Sequence, residues 1–133
     1  LLDDEVMKVH SKIREEKGQM TYAQLLLSTP TTECILSMDL QSGGKMERYQ
    51  VSSPKETMVL EQLTDLTIKR GQTEEVQRFG DWTTTLEKRG FEQLVTTFIA
   101  ALNGENVDLR QEDVLFSHEL CEQMLKQHIR HQL

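Results

Sequence analysis

The chain has 133 residues, 37% of them hydrophobic, and a formal net charge of −7 at pH 7. That length suits one domain with a hydrophobic core of its own, and the surplus of negative charge repels nucleic acid and anionic lipid surfaces. No run of about eighteen apolar residues occurs, so no membrane-spanning helix is expected, and the acidic start Leu1-Leu2-Asp3-Asp4-Glu5 is unlike a secretory leader. Two cysteines, Cys34 and Cys121, lie in separate segments and make no disulfide framework, which points to a reducing cytoplasm.

From Val6 to Glu15 the chain alternates, with Met7, Val9 and Ile13 on one face and Lys8, His10, Lys12 and Arg14 on the other, the period of a half-buried strand. Lys17-Gly18 predicts a tight turn, and Met20 to Ser28 brings the chain back as far as Pro30. In the next strand Cys34, Leu36, Met38 and Leu40 face in, while Glu33, Ser37, Asp39 and Gln41 face out. Ile35 interrupts that outer polar row. Ser42-Gly43-Gly44 signals a turn, because adjacent glycines tolerate positive φ.

Met46 to Ser52 reads as a fourth strand, with Tyr49 and Val51 on one face. Lys55 to Leu63, after Pro54, reads as a strand beside an edge or bulge. Leu66 and Ile68 mark a short strand, Arg70-Gly71-Gln72 a hairpin turn and Glu74 to Phe79 its return. The total is about six to eight strands with short connections, which favour antiparallel pairing.

The period then becomes helical. Asp81 is the expected N-cap of a helix carrying Trp82, Leu86, Phe91, Leu94, Val95, Phe98, Ile99 and Leu102 at three-and-four spacing. Gly90, inside that pattern, predicts a kink or a close packing contact, and Asn103-Gly104 a helix end. A second helix is expected from Gln111 to His131, with Val114, Leu115, His118, Cys121, Leu125, His128 and Ile129 near one side. Strands first and helices last indicate an α+β fold: one domain, residues 1–133, with an open, mainly antiparallel sheet and two C-terminal helices packed on one face. The other face is then available as a subunit interface, for which Ile35, Tyr49 and Val51 are candidates.

Chemistry is sparse. The only double glycine, Gly43-Gly44, lies between two strands, whereas a dinucleotide fingerprint needs glycines between a strand and a helix. His128 and His131 are three apart, but without a neighbouring carboxylate at zinc spacing they read as a cationic last helical turn rather than a metal site. His118, Cys34 and Cys121 read as packed residues on apolar faces. The basic row Lys8, His10, Lys12 and Arg14 either lines an anionic ligand site or, more in keeping with a sheet face, is solvated or pairs with acidic residues such as Asp39 or Glu33. In Asp81 to Phe91, Trp82 either staples its loop to the core or, with Arg89, meets a substrate near a cleft.

The pattern Gly80-Asp81-Trp82, Thr85-Leu86-Glu87, Arg89-Gly90-Phe91 and Phe98 resembles the C-terminal half of the Gfo/Idh/MocA oxidoreductases, most nearly the MviM-like dehydrogenases. Ala100-Ala101-Leu102-Asn103-Gly104 through Glu112-Asp113 to Ser117-His118-Glu119-Leu120 is similar to that family's closing helices. The resemblance implies a C-terminal substrate-side and oligomerisation domain, a separate N-terminal Rossmann domain, and hydride transfer between NAD or NADP and a sugar, polyol or related small molecule. The family's Glu-Lys-Pro motif and its catalytic histidine have no counterpart here, and Leu1-Leu2-Asp3-Asp4 resembles the tail of the helix bearing that histidine. The resemblance therefore implies no catalytic, cofactor or metal residue in this chain, with Trp82 and Arg89 as substrate-side candidates. A stand-alone small-molecule-binding or dimerisation module is the alternative. A self-contained enzyme ranks last, for want of an acid–base cluster.

Overall fold

The computed structural model describes residues 5–109 and 111–132. The segment 1–4, expected as the tail of a helix, and the His131 side chain lie outside the described residues. In chain order the elements are β1 (Lys8–Glu16), β2 (Gln19–Ser28), β3 (Glu33–Asp39), β4 (Arg48–Ser52), β5 (Thr57–Glu61), β6 (Asp65–Arg70), β7 (Thr73–Gln77), α1 (Thr85–Lys88), α2 (Phe91–Leu102) and α3 (Gln111–Gln132). The α+β class, the antiparallel strands and the two long C-terminal helices match the sequence expectation. The strands form two sheets, however: a three-stranded one ordered β1-β2-β3 and a four-stranded one ordered β4-β5-β6-β7. Contacts gather correspondingly into two compact units, Leu1–Gly43 with Arg110–Leu133, and Gly44–Leu109. The Gly43-Gly44 pair thus marks the join between units, not a hairpin, and neither glycine takes positive φ.

In the first unit β1 and β2 are joined by Lys17-Gly18, with φ of 53° and 76°. Positive φ at both central residues is what a two-residue hairpin loop needs to match strand twist, and glycine at the second position removes the Cβ clash there. The register shifts between Arg14 and Glu15, a bulge that leaves Thr21 without a direct partner on β1. Val9, Ser11 and Ile13 share one face with Ala23, Leu25 and Leu27, and Ile13, Ala23, Leu25 and Leu27 form the buried core. Leu27, 2% exposed, is the most completely buried, and burial of that kind contributes about 1.5–3 kcal/mol.

Helix α3 lies against β1. Among its described side chains Leu120, Met124, Gln127 and His128 are partly buried, whereas Val114, Leu115, Leu125, Ile129 and Cys121 of the expected apolar stripe are exposed. The polar choice has a cause: β1 is an edge strand, and its free backbone groups need partners. Gln127 supplies one by donating Nε2–H to the Val9 carbonyl at 2.8 Å. Ser11 Oγ donates to the Gln127 Oε1 at 2.8 Å and lies 3.2 Å from the Met124 carbonyl. The amphipathic pattern alone favours the wrong side because these anchors are uncharged polar groups.

In the second unit Tyr49, Val51, Met58, Leu60, Leu66 and Ile68 fall on one face by register, and Ile68 is buried. The β5–β6 connection holds Gln62 and Leu63 at φ of 53° and 61°, a left-handed turn without glycine that the sequence pattern misses. The expected helix from Asp81 is two helices. Thr84, not Asp81, is the N-cap of α1: its Oγ accepts from the Glu87 amide at 3.1 Å, in a Thr-x-x-Glu arrangement. At Gly90 the backbone takes φ 74°, ends α1 and begins α2. A Cβ there would meet nothing within 4 Å, so the glycine answers to backbone conformation and not to close packing. Asn103 and Gly104 end α2 as expected, Gly104 with φ 82°.

Candidate functional site

Five of the candidate residues meet on the face of the three-stranded sheet turned away from α3. Strand parity puts Lys8, His10, Lys12 and Arg14 there, and the register extends them into ranks: Lys8 with Ser28 and Glu33, His10 with Leu26 and Ile35, Lys12 with Gln24 and Ser37, Arg14 with Tyr22 and Asp39. One edge is therefore basic, the far edge carries two carboxylates, and an apolar pair sits between polar ranks. Ile35 is 71% and Leu26 40% exposed. Leu26 was hidden within the run Leu25-Leu26-Leu27, where uniform apolarity conceals the alternation that register reveals.

The expected pairing of the basic row with Glu33 or Asp39 does not occur. Strand β2 stands between β1 and β3, and neighbouring strands are about 4.8 Å apart, so the two rows are separated by roughly twice that. Among the described residues no carboxylate reaches ion-pair distance of Lys8, His10, Lys12 or Arg14. Instead the Arg14 guanidinium stands over the Tyr22 ring, 4.5 Å from its centroid. The Glu33 carboxylate accepts from Ser28 Oγ at 2.7 Å, and that of Asp39 accepts from the Gln41 amide at 2.9 Å.

Tyr49 and Val51, 43% exposed each, belong to the other sheet and to its apolar face. Tyr49 donates its hydroxyl proton to Glu47 Oε1 at 2.9 Å. That hydrogen bond, together with burial and the negative charge of the same carboxylate, holds the Tyr49 hydroxyl above its ordinary pKa. The other oxygen of Glu47 lies 3.9 Å from the Arg89 guanidinium. Glu47 thus links two residues chosen for different reasons, and its position two residues before Tyr49 was the available signal. At this distance and exposure the ion pair contributes little to stability.

Trp82 is 99% exposed, so it does not staple its loop to the core. It occupies the turn closed by the Thr83 amide on the Gly80 carbonyl at 3.1 Å. Following it, Leu86, Phe91, Leu94, Val95, Phe98, Ile99 and Leu102 are each more than half exposed. Clustered exposed apolar residues of this kind often mark contact sites.

The histidines and cysteines separate from one another. His128 Nε2 lies 3.3 Å from Glu15 Oε1, which the strand parity of β1 directs toward α3. His118 is exposed, not packed, and its Nδ1 bonds the Val114 carbonyl of its own helix at 2.8 Å. Burial pushes the Cys34 thiol above its ordinary pKa, opposite to what a reactive thiolate requires. No group of three metal-ligating side chains occurs among the described residues.

A groove of about 340 Å³ lies between the start of β1 and α3, lined in part by Val6, Val9, Phe116 and Leu120 together with Glu5 and Glu119. Its charged groups are acidic, the wrong sign for a pyrophosphate, and among the described residues Gly80, between β7 and α1, is a lone glycine where a dinucleotide loop has a cluster of three. The described lining of this groove does not fit a nicotinamide dinucleotide. No helix among the described residues is long and apolar enough to cross a membrane.

No protein-family model matches the chain, and no curated protein matches it. Solved structures do. A dehydrogenase (MviM) from Clostridium difficile superposes with a TM-score of 0.80 at 20% identity, over 94% of this chain and 41% of that one. A Gfo/Idh/MocA family oxidoreductase from Vibrio cholerae gives a TM-score of 0.77 at 25% identity, over 98% of this chain and 40% of that one. The chain thus has the fold of part of these oxidoreductases and spans about 40% of their length. The resemblance read from Gly80 to Phe98 extends in three dimensions to nearly the whole chain.

Proposed function

We propose that this chain is the C-terminal, substrate-side and subunit-contact domain of an NAD(P)-dependent oxidoreductase that transfers hydride to or from a sugar, polyol or related small molecule. The observation that carries the reading is the superposition of 94% and 98% of the chain on about two-fifths of two oxidoreductases. In this reading the nucleotide belongs to a separate Rossmann domain. The open face of the three-stranded sheet provides the subunit contact. Trp82 and Arg89 stand on the side offered to substrate, with Glu47 positioning the guanidinium.

Calorimetry on the isolated chain tests the division of labour. Titration with NADH and NADPH is expected to give no heat of binding, and micromolar affinity for either would overturn the reading. In the whole protein, Trp82→Ala and Arg89→Ala are expected to raise KM for the polyol or sugar substrate while leaving nucleotide affinity unchanged.

A further inference from the structure

Three side chains of the second unit meet without satisfying one another. We propose that Glu47, Tyr49 and Arg89 form a binding site for two neighbouring hydroxyls of a neutral sugar or polyol, in which Glu47 turns away a carboxylate. The site rests on the reading above, in which Arg89 stands on the side offered to substrate, and gives that side its chemistry.

Glu47 Oε1 accepts from the Tyr49 hydroxyl at 2.9 Å, while Oε2 lies 3.9 Å from Arg89 Nη1. The second distance is too long for a hydrogen bond, and it is the guanidinium's one polar contact among the described residues. A carboxylate oxygen and a cation with five donors thus stand apart with capacity unused. A hydroxyl has one donor and two acceptor lone pairs, so an alcohol oxygen between them can donate to Glu47 and accept from Arg89. The Tyr49 oxygen gives its proton to Glu47 and keeps lone pairs that suit a second hydroxyl as donor. Both contacts converge on one carboxylate, so the two hydroxyls must be neighbours. Tyr49 and Val51, 43% exposed each and on one face of their sheet, offer an apolar platform for the carbon skeleton.

The backbone holds Glu47 in place independently of its side chain. Gln62, at φ 53°, donates its amide to the Glu47 carbonyl at 2.8 Å, and its Nε2 lies 3.4 Å from the Lys45 carbonyl. Left-handed backbone at two consecutive non-glycine residues, Gln62 and Leu63, is costly, and strain of this kind gathers beside ligand sites. Arg89 is fixed in turn at the junction where Gly90, with φ 74°, divides α1 from α2. Charge then chooses the ligand class. The charges of Glu47 and Arg89 cancel, so the pair has no net attraction for an anion, and a carboxylate set against the guanidinium also faces Glu47.

NMR titration of the full chain tests this with three ring-matched probes: cis-1,2-cyclohexanediol, cyclohexanol and cis-2-hydroxycyclohexanecarboxylate. The diol is expected to shift the Arg89 Nε–H signal and to bind more tightly than cyclohexanol. The hydroxy acid is expected to bind about threefold to fivefold more weakly than the diol, the size of one exposed charge contact. Glu47→Gln should reverse that order, because the hydroxy acid then meets the guanidinium with no opposing charge. Tyr49→Phe removes the oxygen that meets the second hydroxyl and should bring the diol down to the affinity of cyclohexanol. An Arg89 signal that the diol does not move would overturn the site. So would a hydroxy acid that binds the wild type as tightly as the diol, an order that Glu47→Gln leaves unchanged, or a diol indifferent to Tyr49→Phe. The oxidoreductase reading fails separately, on the NADH and NADPH titration above, which does not involve these three side chains.

Discussion

Gln127 engages β1 twice: its Oε1 accepts from Ser11 Oγ at 2.8 Å and its Nε2 donates to the Val9 carbonyl at 2.8 Å. One amide on α3 therefore satisfies both an edge-strand carbonyl and a hydroxyl placed on the core side of the sheet.

Replacing it removes both bonds and leaves the Val9 carbonyl without its protein donor. Gln127→Leu is expected to lower unfolding stability by about 1–2 kcal/mol. Urea denaturation measures this, and a change under about 0.5 kcal/mol would show that water substitutes fully for the amide.

Leu27 and Ile35 are both apolar strand residues with opposite surroundings, 2% and 71% exposed. Leu27→Ala should cost about 2–5 kcal/mol through lost burial and the cavity it leaves. Ile35→Ala, measured at a concentration where the chain is monomeric, should stay within about 0.5 kcal/mol of wild type. Equal losses would mean that Ile35 is covered within the monomer.

The turn at Gly18 depends on its φ of 76°. Gly18→Val forces a β-branched side chain into the left-handed region and is expected to destabilise by about 1–2 kcal/mol. Nothing lies within 4 Å of a Cβ at this position, so any larger loss would have to come from the backbone elsewhere.

Cys34 and Cys121 should label at different rates. Burial raises the Cys34 thiol, so its thiolate population at pH 8 is below that of a free thiol and grows only at higher pH. Cys121 is exposed on α3. Mass spectrometry after brief iodoacetamide treatment should find Cys121 modified first, with the gap narrowing as pH rises; faster labelling of Cys34 would contradict the burial.

Trp82, the single tryptophan, reports on its own surroundings. At 99% exposure its emission should be that of an indole in water and strongly quenched by acrylamide. If the chain works within the longer oxidoreductase proposed above, contact with a second domain or with substrate there should shift the emission to the blue and reduce quenching. Unchanged fluorescence there would remove Trp82 from the contact surface.

Local grammar carried a large part of this structure. The alternation of Val9, Ile13 and the basic row placed β1 and its two faces, Lys17-Gly18 and Arg70-Gly71 placed two hairpins, and Asn103-Gly104 ended α2, because each depends on the conformational range of a few adjacent residues. The resemblance from Gly80 to Phe98 likewise pointed to the fold that the two oxidoreductases share with this chain.

Other features depended on which elements become neighbours. Nothing in the order of residues says that β3 and β4 are unpaired, that Gln127 and not Leu125 faces β1, or that Glu47 stands between Tyr49 and Arg89. The same is true of the ranks that set Lys8 level with Glu33, and Arg14 level with Asp39, across the intervening β2. Periodicity reports which side of an element a residue occupies. Only the packed chain decides what lies opposite, because strand register and the need to satisfy an edge strand's backbone are settled between segments far apart in sequence.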